Sequence, residues 1–295
     1  MIYGWIEAEK ARRPEMSIST ACRVLGVSRS GFYDWRARAD APPSERDLEN
    51  AELVEEIRAV HAEFPSYGSP RVHQVLVRRN RCVGRHRVAR LMRDNDVRAK
   101  RGRMLRKRRT APPKRRPEVG DLVRRKFRAD APNQLWCVDI TQIRTLEGWL
   151  CAAVIIDVYS RRIISWTIGD HQNQELAIDA LKAAVSIRKP PPGGIVHSDR
   201  GYQFTSWEWL GIARAAGLEP SIGRVGSALD NALIEAWFSS FKNEALHPRP
   251  MPATRQEARR LLVRHIDFHN RQRLHSALGY RTPIEHETHH QSVSA

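Results

Sequence analysis

The sequence is poor in several features that define common protein classes. It has only four cysteines, Cys22, Cys82, Cys137 and Cys151, and no two of them form a CxxC pair. A disulfide framework and a structural zinc site are therefore not expected, and Cys137 and Cys151, in apolar strand-like segments, are interpreted as small buried hydrophobic residues. No stretch approaches the roughly 18 consecutive apolar residues of a membrane span, and the polar N-terminus does not read as a secretory signal. These absences predict a cytoplasmic, nucleoid-associated protein without a membrane partner.

The sequence also has few acidic residues relative to basic ones. It contains 33 Asp and Glu and 50 Lys and Arg, which gives a formal net charge of +17. The excess is concentrated in residues 98–128, where fifteen basic residues oppose Glu118 and Asp121. A basic run is often a solvated linker, but this density favours binding to the phosphates of a nucleic acid. Prolines interrupt the run, so we predict an irregular basic linker over residues 98–129.

Residues 17–38 have the pattern of a helix-turn-helix. A serine can cap each of two short helices, a Gly-Val pair falls at the turn, and two aromatic residues share one face of the second helix. Arg29 and Arg36 would then face a DNA groove or backbone, although an ordinary helical hairpin has the same pattern. We assign residues 1–40 to this unit.

Residues 45–97 predict a second helical, DNA-contacting unit. Its first helix covers residues 45–63, its second ends near Asn80, and its third begins near Gly84. The residues expected on the inner face of the first helix are Leu48, Leu53, Ile57 and Val60.

The composition changes near residue 130, where three β-rich runs follow one another with short connectors. This pattern predicts an antiparallel meander. A helix, the strand 194–198, a helix near 205–216, a short strand and two longer helices follow. The order predicts an α/β fold, a mixed five-stranded sheet with helices on both faces, preceded by small all-α units. We expect the polar, His-rich C-terminal tail to be frayed.

Three carboxylates stand in apolar surroundings. Asp139 interrupts the run LWCVDITQI, Asp199 follows the strand 194–198, and Glu235 lies on a helix with an apolar face. Burying an isolated carboxylate is costly, so each needs a basic partner, a helix N-terminus or a cation. Because the expected topology brings the first strand beside the fourth, the three acids can converge, and oxygen-only sites favour Mg²⁺ or Mn²⁺.

The spacing and the surrounding motifs carry a family resemblance. Asp139 and Asp199 have 59 residues between them, and Asp199 and Glu235 have 35. The motifs are YGSPRVHQVL, WCVDIT, HSDRGYQFTS, GSALDNALIEAWFSSFKNE and RLHSALGYRTP. On these residues the chain resembles the DDE transposases of two-reading-frame insertion sequences, of the OrfB type, within the retroviral integrase superfamily.

The resemblance implies a ribonuclease H-like integrase core with a C-terminal helix over residues 130–290. It implies Mg²⁺-dependent cleavage and strand transfer at the ends of an insertion sequence, with a 3′-hydroxyl as nucleophile. Asp139, Asp199 and Glu235 would be the catalytic residues and would hold two Mg²⁺ ions, for which Mn²⁺ can substitute. The candidate DNA-contacting residues are Lys242, Arg29, Arg36, Arg71, Arg106, Arg108, Arg109 and Arg273.

The expected partners are double-stranded DNA of the element ends and of the target, and further copies of the chain assembled on that DNA. A segment encoded by an upstream reading frame is a further candidate partner, because residues before 40 contain no leucine heptads. The segment RLHSALGYRTP is expected to contact DNA or a partner subunit. Two alternatives stay open: a non-catalytic DNA-binding protein, and a ribonuclease that acts on RNA–DNA hybrids.

Several neighbouring residues carry narrower expectations. Asp230 and Asn231 either cap the helix of Glu235 or line the site. Asp157, another acid on a strand, is expected to form a salt bridge with Arg161 or Arg162.

His265 and His269 lie four residues apart on a predicted helix, a spacing that could suit a metal. No cysteine pair accompanies them, so a zinc module of the retroviral integrase type is not predicted.

Overall fold

A computed structural model of the chain describes residues 2–40, 42–100, 119–224 and 231–294. The chain divides into two compact units, Met1–Ala59 and Val60–Ala295. Within the described ranges no helix is long and apolar enough to cross a membrane. The predicted residues Arg106, Arg108, Arg109 and Asp230 lie outside these ranges.

The first unit is helical. It contains α1 (Ile2–Arg12), α2 (Ile18–Val24), α3 (Arg29–Asp40) and the first part of α4 (Glu45–Glu63). Serines begin both helices of the predicted hairpin: the Ser17 hydroxyl accepts the Thr20 N–H, and the Ser28 hydroxyl accepts the Gly31 N–H. The side chains of Ile6, Ala21, Cys22 and Phe32 form a small core. The sequence pattern did not predict α1, which supplies Ile6 to that core.

The helices α5 (Ser69–Arg78) and α6 (Arg85–Asp94) lie close to their predicted bounds. On α4 the predicted inner residues Leu53, Ile57 and Val60 are buried, but Leu48 is 54% exposed. The expectation for Leu48 was wrong because this residue lies in the first turn of α4, before the buried stripe begins.

A five-stranded mixed sheet forms the centre of the second unit, as predicted. Its elements are β1 (Leu135–Thr145), β2 (Gly148–Asp157), β3 (Ile163–Gly169), α7 (Gln174–Arg188), β4 (Gly194–Ser198), α8 (Trp207–Ala215) and β5 (Leu218–Ile222). The strand order is β3-β2-β1-β4-β5. The pairs β1–β2 and β2–β3 are antiparallel, whereas β4 runs parallel to both β1 and β5.

Helices cover both faces of the sheet. The faces are separated by the alternation of side chains along β1. Trp136 and Val138 pack into the cluster that contains side chains of α7 and α8. Leu135 and Cys137 pack into the opposite cluster, which contains side chains of α9 (Ala232–Phe241) and α10 (Arg255–Arg271).

The end of the predicted basic linker is attached to the sheet edge. Residues 119–129 are irregular, as expected, but the Leu122 N–H donates to the Ser221 hydroxyl at 2.9 Å and the Ile222 N–H donates to the Gly120 carbonyl at 3.1 Å. Val123 is buried against the α9 and α10 cluster. This part of the chain therefore extends the core beside β5.

The C-terminal tail is a helix, α11 (Pro283–Ser294), and the expectation of a frayed tail was wrong. Glu287 anchors it: the carboxylate accepts the Ser160 hydroxyl at 2.8 Å and pairs with Arg162 at 2.6 Å and Arg188 at 2.8 Å. Burial would raise the pKa of Glu287, but the hydrogen bonds from Arg188 and Arg162 lower that pKa overall. The anchor is a long-range contact, so local polarity did not reveal it.

Asp157, at the end of β2, is fully buried and its predicted salt-bridge partner was wrong. Its carboxylate lies 3.6 Å from Arg188 and accepts the Asn133 N–H at 2.7 Å and the Tyr159 N–H at 2.9 Å. The positive charge beside Asp157 therefore comes from Arg188, at the end of α7, and not from its chain neighbours Arg161 and Arg162. Burial raises the pKa of Asp157.

Candidate functional site

Two of the predicted acids lie at the same level on neighbouring parallel strands. Val138 of β1 and Ser198 of β4 are the last pair in the register of these strands. Asp139 and Asp199 are the next residues of their respective chains. The sequence separates these two carboxylates by 59 residues, and the sheet brings their backbones side by side.

The same register decides the face on which these acids lie. Cys137 and His197 are partners two positions earlier, and Cys137 packs under α9 and α10. Because side chains alternate along a strand, Asp139 faces that side too, and the same parity places Asp199 there at the end of β4. Asp139 is 9% exposed, whereas Asp199 is exposed.

The helix that bears Glu235 covers this face. Asn231 precedes α9, and its side-chain amide donates to the Val138 carbonyl at 3.0 Å, one residue from Asp139. Glu235 follows one helical turn later and is half-buried. The Asn231 side chain makes no capping hydrogen bond, so the capping alternative for this residue was wrong. It instead attaches the start of α9 to β1.

Backbone N–H groups orient both aspartates. The Ile140 N–H donates to Asp139 Oδ1 at 2.7 Å, and the Gly201 N–H donates to Asp199 Oδ1 at 2.9 Å. A Cβ at position 201 would lie 2.9 Å from Asp199 Oδ1 and 2.7 Å from Gln203 Oε1, so the ends of both side chains would have to shift. The glycine therefore leaves room for the Asp199 carboxylate to accept the Gly201 N–H.

Two buried side-chain oxygens have no hydrogen-bond partner within the described part of the chain: Ser198 Oγ, which by the register shares the sheet face of Val138, and Asn231 Oδ1 at the start of α9. Buried polar atoms are normally satisfied, so Asn231 Oδ1, on the α9 side of the sheet, is suited to meet a further donor or a cation. Among the described residues, however, no group of three or more His, Cys, Asp or Glu side chains is already arranged to hold a metal ion. The sheet brings Asp139 and Asp199 to one level, and the helix that bears Glu235 packs on the same side of the sheet.

Lys242 lies two helical turns after Glu235, directly after the end of α9. It is half-buried and begins a π-helical turn, Lys242–Leu246, in which the His247 N–H donates to the Lys242 carbonyl at 2.7 Å. π-Helical turns within helices are frequent at functional sites. That Lys242 shares the Glu235 face of the helix stays a prediction.

The predicted DNA-contacting arginines of the first unit are on the surface. The Arg29 guanidinium lies 5.9 Å from the centre of the Tyr33 ring. Arg36 is exposed and its Nε lies 3.5 Å from Glu7 Oε1. An exposed ion pair of this kind is weak, so it does not prevent Arg36 from contacting a phosphate.

Arg273 needs correction as a candidate DNA contact, because it is 7% exposed and pairs with Glu244 through two contacts, Nη2–Oε1 at 2.6 Å and Nε–Oε2 at 3.0 Å. A buried guanidinium held in this way is not available to a DNA phosphate. Arg71 is half-buried, and its Nε donates to the Leu274 carbonyl at 3.0 Å. A DNA contact by the rest of the Arg71 guanidinium stays a prediction.

These contacts reveal a set of residues that the sequence did not connect. Tyr67 and Arg71 belong to the motif YGSPRVHQVL, and Arg273 and Leu274 belong to RLHSALGYRTP. Both motifs are visible in the sequence, but the contacts between them join residues 203 and 207 positions apart. No local pattern indicates such a pairing.

The histidines His265 and His269 lie on the inner side of α10. Burial lowers the pKa of His265 to about 4 and lowers the pKa of His269 well below its ordinary value. Both are therefore neutral at pH 7, and His269 Nε2 lies 2.7 Å from the Arg161 carbonyl. They serve as core residues beside Trp237.

Comparison with known protein families gives three matches. Residues 129–228 and 216–283 match models described as integrase core domain, and residues 47–107 match a model described as HTH-like domain. The integrase core matches include Asp139, Asp199 and Glu235.

Solved structures with a similar fold include the catalytic core domain of HTLV-2 integrase in complex with magnesium. It is 18% identical, covers 54% of this chain and 99% of that one, and has a TM-score of 0.44. An intasome of simian T-cell lymphotropic virus in complex with a PP2A regulatory subunit, B56 gamma, is 14% identical over 78% of this chain and 74% of that one, with a TM-score of 0.47. At these scores the likeness adds no weight to an assignment.

Relatives of known sequence match along almost the whole chain. An uncharacterized 31 kDa protein of insertion element IS600 from Shigella sonnei is 37% identical over 276 residues, 92% of this chain and 100% of that protein. Transposase InsF for insertion sequence IS3A from Escherichia coli strain K12 is 34% identical over 292 residues, 97% of this chain and 98% of that protein. With the integrase core matches, this identity shows that the chain belongs to the IS3-type insertion-sequence transposases, DDE polynucleotidyl transferases that act in DNA transposition and integration.

Proposed function

We propose that Asp139, Asp199 and Glu235 are the catalytic carboxylates with which this transposase cleaves the ends of its insertion sequence and joins them to target DNA. One observation carries the proposal: Asp139 and Asp199 lie at equal register on adjacent parallel strands, beneath the helix that bears Glu235. Such an arrangement suits phosphoryl transfer, in which positioning and electrostatics supply most of the catalysis.

The donor atoms near this face fit a hard divalent cation. They are carboxylate oxygens accompanied by the buried Oδ1 of Asn231 at the start of α9. The nearby His197 ring is used elsewhere, because its Nδ1 lies 2.9 Å from the Ser221 hydroxyl. An all-oxygen set selects Mg²⁺ or Mn²⁺ rather than zinc. We propose that the three carboxylates hold two Mg²⁺ ions, which when bound supply activation of the attacking oxygen and stabilisation of the leaving 3′ oxygen.

The chain's own residues set the geometry of this site. The Gly201 turn fixes the Asp199 carboxylate at the end of β4, and the Asn231 amide fixes the start of α9 against β1. Glu235 lies in the first turn of α9, and we propose that it completes the site with the two aspartates. Lys242, on the same helical face, is proposed to bind a DNA phosphate beside the reacting bond.

The wider DNA interface is proposed to divide along the chain into a helix-turn-helix (1–40), a second helical unit (45–97), a basic linker (98–129) and the core (130–290). Exposed Arg29 and Arg36, with the linker residues Arg106, Arg108 and Arg109, are the candidate phosphate contacts. We propose that copies of the chain assemble on the element ends in the cytoplasm, with or without a segment from an upstream reading frame. Binding through many phosphates would weaken steeply as salt increases.

The test is a cleavage assay with end-labelled DNA from the termini of the element that encodes the chain. The wild type is expected to nick and join this DNA with Mg²⁺ or Mn²⁺. Glu235→Gln is expected to bind the DNA with unchanged affinity and to leave it uncut. The matched control is Glu219→Gln, which changes an exposed acid on β5.

Two results would contradict the proposal. Full activity of Glu235→Gln would show that Glu235 is not a catalytic residue. A wild type that binds the DNA but neither nicks nor joins it with either ion would favour the non-catalytic DNA-binding alternative for this chain.

A further inference from the structure

A buried ion pair lies at the far end of the helix that carries Glu235. Arg273 and Glu244 form a two-contact pair whose side chains are 8% and 13% exposed. Glu244 belongs to the π-helical turn Lys242–Leu246. A planar guanidinium that meets a carboxylate through two parallel contacts fixes orientation as well as distance.

The same guanidinium also contacts α9 itself. Arg273 Nη2 donates to the Ser240 hydroxyl at 2.9 Å, and Ser240 lies in the last turn of α9. One side chain therefore holds both the end of the Glu235 helix and the turn that begins at Lys242. The start of that helix is held separately, by Asn231 on the Val138 carbonyl.

Arg273 is in turn held through the backbone of its neighbour Leu274. The Leu274 N–H donates to the Tyr67 hydroxyl at 3.0 Å, and Arg71 Nε donates to the Leu274 carbonyl at 3.0 Å. Tyr67 is fully buried, and the Arg71 guanidinium lies 5.4 Å from the centre of its ring. Two side chains thus bind both backbone polar groups of one residue, an arrangement that we call the Leu274 clamp.

The Leu274 clamp connects regions that the sequence keeps apart. Tyr67 and Arg71 lie within residues 47–107, which match an HTH-like domain model, whereas Ser240 and Glu244 follow the candidate catalytic Glu235. The contacts form an unbroken series from Tyr67 through Leu274 and Arg273 to α9. A rigid element held at both ends keeps its side chains in place more closely than one held at a single end.

We propose that Tyr67, Arg71 and Arg273 are positioning residues that hold the Glu235–Lys242 segment in register with Asp139 and Asp199. The inference rests on the proposed catalytic role of these acids. The clamp residues do not touch the reacting atoms. They act through α9, and loosening them displaces Glu235 and Lys242 together.

The test uses two mild variants and a matched control. Tyr67→Phe removes only the hydroxyl that accepts the Leu274 N–H and keeps the buried ring. Arg273→Lys keeps the charge but loses the two-contact geometry. Tyr159→Phe is the control, because it removes a tyrosine hydroxyl from the β2–β3 turn, where the ring packs on His286 and His290.

Three quantities are measured for the full chain: the affinity for labelled element-end DNA, the single-turnover nicking rate at saturating DNA with Mg²⁺, and amide hydrogen exchange of residues 240–247. In Tyr67→Phe and Arg273→Lys the nicking rate is expected to fall about tenfold, less than the roughly hundredfold loss that a displacement of about 1 Å can cause. The DNA affinity is expected to stay unchanged. Exchange of residues 240–247 is expected to accelerate, and Tyr159→Phe is expected to behave as the wild type.

The proposal is overturned if both variants nick at the wild-type rate, whatever their melting temperatures, because the residues would then support the fold alone. It is also overturned if exchange accelerates uniformly along the chain, as in a general loss of stability. Failure of the proposed function has a different signature. In that case the wild type itself does not nick, or Glu235→Gln remains active.

Discussion

The second unit contains two groups of acids, and the described contacts of these groups differ in kind. Arginine side chains hold Glu244 and Glu287. Backbone N–H groups of the residues that follow orient Asp139 and Asp199. An arginine neutralises a carboxylate, whereas a peptide N–H orients it and leaves its charge. The first group is paired with basic side chains inside the fold, and the second is the group for which we propose cation binding.

This difference predicts opposite consequences of removing a charge. Replacement of an acid that is paired with arginine should lower stability, because a buried guanidinium is left without its partner. Replacement of an acid oriented by its backbone should remove activity while the fold persists. The predictions below test this separation, from the largest effect to the smallest.

Asp139→Asn and Asp199→Asn are expected to abolish cleavage and strand transfer, because an amide cannot replace a charged oxygen donor to a divalent cation. The free energy of unfolding should stay the same or rise, since crowded acids repel one another. End-labelled DNA cleavage and urea denaturation measure the two effects. Retention of cleavage in either variant would show that the two acid groups are not distinct in function.

Arg273→Met is expected to destabilise the chain by about 3–5 kcal/mol, the usual cost of breaking a buried ion pair from one side. Glu244 would be left in a buried site without its two-contact partner. Urea denaturation measures the loss. The double variant Arg273→Met with Glu244→Leu should regain much of the stability, and a double variant no more stable than the single one would argue against pairing as the cause.

Acid is expected to destabilise the chain through its buried histidines. The pKa of His265 is lowered by burial to about 4, so the unfolded state binds a proton that the folded state does not. This contribution to stability is complete above the unfolded pKa of about 6.5 and is lost as pH falls toward 4, by roughly 3 kcal/mol. In His265→Phe the free energy of unfolding should decline less steeply between pH 6.5 and pH 4. The remaining decline would come in part from His269, whose pKa is also lowered by burial. An unchanged slope in this variant would show that other groups set the acid sensitivity.

Glu287→Gln is expected to have the smallest effect, a destabilisation of roughly 1–3 kcal/mol from weakened charge-assisted hydrogen bonds to Arg162 and Arg188. The pKa of Glu287 is lowered in the folded state, so this stabilisation is present above the unfolded pKa and is lost as pH falls through the folded pKa. Limited proteolysis should cut residues 283–294 sooner, with His289→Gln as the control on the same helix. Equal rates of cutting would mean that other contacts anchor α11.

Local patterns in the sequence predicted much of the fold. β-rich runs with short connectors indicated β1, β2 and β3, and proline and glycine marked the ends of the elements around β4. The acids at 139, 199 and 235 were found for a related reason, since each interrupts an apolar pattern. The errors arose where a polar residue has a distant partner: the local pattern suggested Arg161 or Arg162 for Asp157, and the structure pairs it with Arg188.

The sequence by itself determined the order of helices and strands, the family, and the three acids whose spacing marks the proposed site. Only the tertiary structure decided that Asp139 and Asp199 share one level and one face, that Arg273 belongs to Glu244, and that Tyr67 and Arg71 hold Leu274. The physical reason is the separation in sequence over which each kind of interaction acts. Apolar periodicity reflects the local backbone geometry of helix and strand, whereas a buried polar pair depends on which distant turns meet once the core has packed.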